Sequence, residues 1–169
     1  MNNCLILDGK QAAKACSENL LARVKKLNNF GRSPKLAAIL VGDDPASETY
    51  VNMKERACHS LGIQTEIKRL SKDTSTAELQ KAITDLNIDE AVDGILLQHP
   101  VPQQIDETKC FNTISLEKDV DGVTTEGFGN MAMGLRAFGS CTPLGIIRLL
   151  KYYKINIEGI NALVIGRSQ

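Results

Sequence analysis

The apolar residues near the start of the chain recur at spacings of three and four. Ala12, Ala13, Cys16, Leu20, Val24 and Leu27 fall on one face of a helix over about residues 10–28, with Asp8 or Gly9 at its cap. The period then changes. Pro34 precedes Leu36 to Val41, a short unbroken apolar run that reads as a strand buried on both faces. Gly42-Asp43-Asp44-Pro45 is turn chemistry, and Ser47 is placed to cap a second helix that stops at Gly62. Ile63 to Leu70 alternates as a second strand. Ser75 to Asn87 is a third helix with Leu79, Ile83 and Leu86 along one side, and Ala91 to Leu97 is a third strand. From Gln103 to Ser140 no strong period is present. Thr142-Pro143 then opens a helix to about Tyr153, and Asn161 to Ile165 reads as a last strand.

Strands that alternate with helices predict an α/β fold with a parallel sheet. In such sheets ligands sit beyond the carboxyl ends of the strands. Gly42, Gln98 and Gly166 each follow a strand at such an end. The final run Val164-Ile165-Gly166-Arg167-Ser168 has the form of a first strand entering a phosphate loop, a unit that needs a following helix and further strands. The expected organisation is a catalytic domain over residues 1–139. Residues 140–169 then supply a connecting helix and the first strand of an incomplete nucleotide-binding domain.

Composition narrows the class. Lysine plus arginine and aspartate plus glutamate are each 20 among 169 residues, so net charge is zero and no global field favours nucleic acid or a membrane surface. The five cysteines show no CxxC spacing and no histidine-rich neighbourhood, which argues against a zinc site and for reduced thiols. No signal-peptide pattern opens the chain, and no run approaches the ~20 apolar residues of a membrane span. The expectation is a cytoplasmic protein without a metal.

Three segments carry candidate chemistry. Tyr50 and Lys54 lie four apart in a helix, hence on one face with ~6 Å of axial rise. Such a face can stack a planar ring and move a proton beside it, although most tyrosines and lysines at this spacing only pack and solvate. Gln98 follows a buried strand and precedes a loop made irregular by Pro100 and Pro102; its amide can donate and accept at once. Asp121 lies in Lys118-Asp119-Val120-Asp121-Gly122, where a carboxylate can take two N–H donors from an amino-pyrimidine edge, or simply form an Asp-Gly turn. Gly166-Arg167-Ser168 can offer an N–H, a guanidinium and a hydroxyl to a phosphate.

Taken in order, these stretches resemble the bifunctional methylenetetrahydrofolate dehydrogenase/cyclohydrolase family. The matching segments are Leu7 to Lys10, LAAILVGDDPA from Leu36, Tyr50-Val51-x-x-Lys54 and DGILLQHPVP from Asp93. KDVDG from Lys118, Cys141-Thr142-Pro143 with Gly145, and VIGRS from Val164 complete the series. The resemblance implies NADP-dependent oxidation of methylenetetrahydrofolate to the methenyl compound, then its hydrolysis to formyltetrahydrofolate. It implies that Lys54 transfers the proton, that Gln98 supports it, and that Asp121 holds the pterin's amino edge. Tyr50 would stack on the folate rings, Val101 and Pro102 would line the cleft, and Gly166, Arg167 and Ser168 would face NADP. It also implies a homodimer.

This sequence departs from the family at two points. Gly127 stands where asparagine is usual, and His99 where leucine is more common. The remainder of the NADP domain and a returning C-terminal helix are also missing from the 169 residues. Two other readings compete with the enzyme. One is a truncated, non-catalytic remnant that binds folate or pairs with a full-length subunit; the other is a generic α/β binding domain.

Overall fold

A computed structural model describes residues 4–166. Its centre is β1, Lys35–Val41, the apolar run after Pro34. β1 pairs in parallel with β2, Gln64–Leu70, on one side and β3, Gly94–Leu97, on the other, in the order β2-β1-β3. The helices α1, α2 and α3 span Gly9–Asn29, Pro45–Leu61 and Thr76–Ile88. After β3 come α4 (Glu107–Phe111), a 3-10 turn (Leu116–Lys118), α5 (Thr125–Ala132) and α6 (Cys141–Tyr152).

The central strand is apolar throughout because both its faces are covered. Ala37, Ile39 and Val41 point into a core shared with Leu79, Ile83 and Leu86 of α3 and with Ile95 and Leu97 of β3. Ala38 and Leu40 point the other way, against Val51 of α2 and Leu96. The chain leaves β1 through α2 to reach β2, then crosses back through α3 to β3 on the opposite side. Right-handed crossovers in opposite directions put the two helices on opposite faces. Ile39, Ile83 and Ile95 are completely buried, and each such side chain is worth about 1.5–3 kcal/mol of transfer free energy.

Local signals end the helices. The Asp8 carboxylate accepts from Lys10 N at the start of α1. Ser75 and Glu78 close a reciprocal capping box on α3. Gly62 adopts φ 75° after α2, a left-handed conformation that lets its N–H return to the His59 carbonyl.

Four expectations are corrected. The cap of α2 is Asp44, whose carboxylate accepts from Ser47 N at 2.7 Å, and Ser47 lies buried inside the first turn. An aspartate one residue before Pro45 satisfies the free N–H groups, so the serine has no such role left. α6 starts at Cys141 with Ser140, not Thr142, in the cap position, and the Ser140 hydroxyl donates to the Gly122 carbonyl instead of capping. The stretch 103–140 contains three short helical elements that are too brief to show a period. Residues 161–165 form no strand: Leu163, Val164 and Ile165 are 86–89% exposed. An apolar run becomes a strand only where a neighbour pairs its backbone, and among the described residues none does. Gly166 stands in the same exposed segment, and Arg167 and Ser168 lie outside the described residues.

Candidate active site

The loops after the three strands converge at the carboxyl edge of the sheet. Gly42 follows β1 with φ 87°, and a Cβ built there would stand 3.6 Å from Lys72 Cβ and 3.7 Å from Pro102 Cγ. Residues after β1, β2 and β3 therefore meet at one rim. Gln98 is held at this rim by its backbone, whose N–H donates to the Ile39 carbonyl at 2.9 Å. Its side chain is buried. Nε2 donates to the His99 carbonyl at 2.7 Å, which orients the amide so that Oε1 faces α2.

Lys54 reaches that oxygen. Nζ donates to Gln98 Oε1 at 3.2 Å, a contact between residues 44 apart in the chain. Nζ keeps capacity for further hydrogen bonds, and the amide oxygen keeps a second lone pair. One turn earlier on the same face, the Tyr50 ring is 58% exposed and free to stack. Val101 is half-buried against the core, and half-buried Pro102 forms the rim beside Gly42.

Asp121 lies in the turn that follows the 3-10 element. The turn that bears it lies against β3, with Ile95 bridged to Asp119. Gly94 makes that approach possible, since a Cβ there would stand 2.6 Å from Val120 Cγ1. Cys141 stands at the start of α6, and its Sγ donates to the Val120 carbonyl at 3.5 Å. Desolvation and then hydrogen bonding to the Asp121 carboxylate push the Cys141 thiol above its ordinary range, while the charges of Lys54 and Arg148 pull it down. Lys54 and Gln98 thus meet directly, and the charges of Lys54 and Asp121 both act on the Cys141 thiol. These residues offer a stacking ring, a proton carrier and an acidic acceptor for N–H groups.

Sequence reasoning missed two parts of this arrangement. Asp119 is 1% exposed and accepts from Val123 N, Thr124 N and Thr124 Oγ1. Lys118 Nζ donates to the Leu86 and Asp89 carbonyls at the end of α3. The pairing of residue 119 with β3 decides which aspartate turns inward, and that pairing has no local signature. A shallow depression of about 360 Å³ lined by Arg32, Asn87, Asp93 and Lys118 opens at the opposite end of the sheet, away from these groups. No cluster of three or more metal-ligating side chains occurs among the described residues, and no helix there is long and apolar enough to cross a membrane.

Comparison with known proteins gives the family. Residues 7–121 match the sequence profile of the tetrahydrofolate dehydrogenase/cyclohydrolase catalytic domain. The chain is 53% identical over 168 residues to the bifunctional protein FolD of Acidobacterium capsulatum, covering 98% of this chain and 60% of the relative. The crystal structure of the bifunctional enzyme FolD from Campylobacter jejuni superimposes with a TM-score of 0.95 at 41% identity, over 97% of this chain and 58% of that one. The Trypanosoma brucei FolD, solved in complex with NADP and an inhibitor, gives 0.88 at 28% identity, over 94% and 55%. The chain spans about 60% of the length of the curated relatives it matches. With the profile running through the KDVDG turn and more than half of all positions shared with such a relative, this chain belongs to the tetrahydrofolate dehydrogenase/cyclohydrolase family.

Proposed function

We propose that this chain carries the folate site of an enzyme that interconverts one-carbon tetrahydrofolates, and that the step its own residues perform is hydrolysis of the methenyl compound. The contact that supports this most directly is Lys54 Nζ to Gln98 Oε1 at 3.2 Å, one helical turn from Tyr50. The methenyl carbon is already cationic, so attack by water needs no metal. Water adds to that carbon and releases one proton; Lys54 takes it in its neutral amine form, whose lone pair stays free while an N–H donates to Gln98. The resulting hydroxyl passes its proton to the departing ring nitrogen as the C–N bond opens to the formyl product. Gln98 holds the lysine in place, Asp121 accepts the pterin's N–H donors, and Tyr50, Val101 and Pro102 enclose the rings.

The oxidation that precedes hydrolysis uses NADP in our reading and belongs to the whole protein. Among the described residues nothing cradles a dinucleotide. Gly166 is exposed, with no heavy atom within 4 Å of a Cβ built on it, and no hydride step is assigned to this chain alone. A homodimer in the cytoplasm is the proposed working form, checked by sedimentation of the purified protein.

The decisive experiment is the rate of methenyltetrahydrofolate hydrolysis for the chain and its Lys54→Ala variant. Loss of proton transfer should slow the reaction by about 10²–10⁴-fold. Equal rates would remove Lys54 from the mechanism.

A further inference from the structure

We infer that Asp119 is the positioning residue for Asp121: its buried carboxylate ties the loop of residues 119–124 from inside and thereby aims the Asp121 side chain into the cleft. The inference deepens the folate reading of that site and rests on it. The reaction proposed above makes no use of Asp119, yet this carboxylate is almost completely buried. Its partners are three neutral donors from one short segment: Val123 N at 3.1 Å to Oδ1, then Thr124 N at 2.9 Å and Thr124 Oγ1 at 2.7 Å to Oδ2. Burying a charge costs stability unless every lone pair is engaged, and an apolar side chain would fill the space at lower cost. A buried carboxylate used in this way defines a conformation.

That conformation is the one that carries Asp121. The Asp119 carbonyl accepts from Gly122 N at 3.2 Å, closing a turn around Val120 and Asp121. One residue therefore holds the loop twice, by its carbonyl at Gly122 and by its carboxylate at Val123 and Thr124. The surroundings leave little slack. A Cβ on Gly122 would stand 2.7 Å from Ser140 N, and one on Gly127 would stand 2.9 Å from Asp119 Oδ2. Lys118, bound to the end of α3, holds the entry to the turn. Between these anchors Asp121 has its backbone direction set from both sides.

The test uses the full chain and its Asp119→Asn, Thr124→Ala, Thr124→Ser and Asp121→Asn variants. An amide at 119 sets an NH2 group against the donors, and Thr124→Ala removes one of them, whereas Thr124→Ser keeps it. Calorimetric titration with tetrahydrofolate should show Asp119→Asn and Thr124→Ala weakened by about tenfold, the scale of one lost hydrogen bond to a charged group. Thr124→Ser should bind as the parent does. In the hydrolysis assay KM should rise more than kcat falls. On the Asp121→Asn background, Asp119→Asn should cause no additional loss, because its effect acts through Asp121.

A second readout needs no folate. Asp121 raises the Cys141 thiol, so alkylation of Cys141 by iodoacetamide, followed peptide by peptide in a mass spectrometer, should shift to lower pH in Asp121→Asn. It should shift the same way in Asp119→Asn and in Thr124→Ala. Folded variants with parental alkylation profiles would overturn the inference. If Asp119→Asn does not fold, the Thr124 pair decides by the same criterion. If the parent chain fails to bind tetrahydrofolate, the folate reading falls, while the Cys141 profiles still decide whether Asp119 positions Asp121.

Discussion

Gly127 shows how one atom can constrain a whole loop. It sits in the first turn of α5, and a Cβ there would stand 2.8 Å from Thr124 Oγ1 and 2.9 Å from Asp119 Oδ2. A side chain does not fit beside these oxygens as they stand. Gly127→Ala would gain about 1 kcal/mol of helix propensity. It would lose about 1–3 kcal/mol to overpacking. The expected net result is a lower urea midpoint with an unchanged slope. An increase in the midpoint would show that the Asp119 carboxylate can move aside. The Lys54 to Gln98 contact belongs to this scale too, since its worth depends on a single rotamer of each side chain and on the His99 carbonyl that orients the amide.

At the scale of elements, the helix caps act as charge sensors. Hydrogen bonds from Ser47, backbone first, hold the Asp44 carboxyl below its ordinary range at the start of α2. Those from Ser75 do the same for Glu78 on α3, and Lys109 does so for Asp106 on α4. As pH falls, the unfolded chain takes up protons on these groups before the folded chain does. Their contribution is therefore complete above the unfolded values, about 3.9 for aspartate and 4.3 for glutamate. It is lost as pH drops through the lower folded values. Urea titrations should show the midpoint falling below about pH 4, and Glu78→Gln should flatten that fall. A midpoint that does not change with pH would contradict the capping roles. Separately, Ser75→Ala at neutral pH should cost about 0.5–2 kcal/mol.

Over the whole molecule, one phenol joins chain segments that are 145 residues apart. Tyr153 OH accepts from Asp8 N at 2.9 Å and donates to the Asp8 carbonyl at 3.2 Å, tying the end of α6 to the cap of α1. Tyr153→Phe removes both bonds and leaves the ring. The expected loss is about 1–3 kcal/mol, taking roughly 0.5–1.5 per bond. Hydrogen exchange should speed up at the Asp8 amide and the first turn of α1, and leave β1 protected. Equal exchange at Asp8 would mean the phenol adds no stability.

The alternation of strand and helix, the buried central strand and the turn glycines at 42 and 62 could all be read from the sequence, because each rests on local periodicity or on a backbone angle that few residues adopt. Lys54, Gln98 and Asp121 could be named as candidates from residue type and from the resemblance of their motifs. The contact between Lys54 and Gln98 could not, since it depends on how β3 sets Gln98 against α2. The run at 161–165 marks the boundary. Its residues favour a strand, but strand formation requires a neighbour to accept its backbone, and burial of Leu163 to Ile165 requires a surface to meet them. Local sequence therefore determined the elements and their order. Only the packing of distant segments decided that Asp119 is buried as an anchor while Asp121 stays half-buried, because hydrogen-bond pairing between strands and loops is a property of neighbours in space.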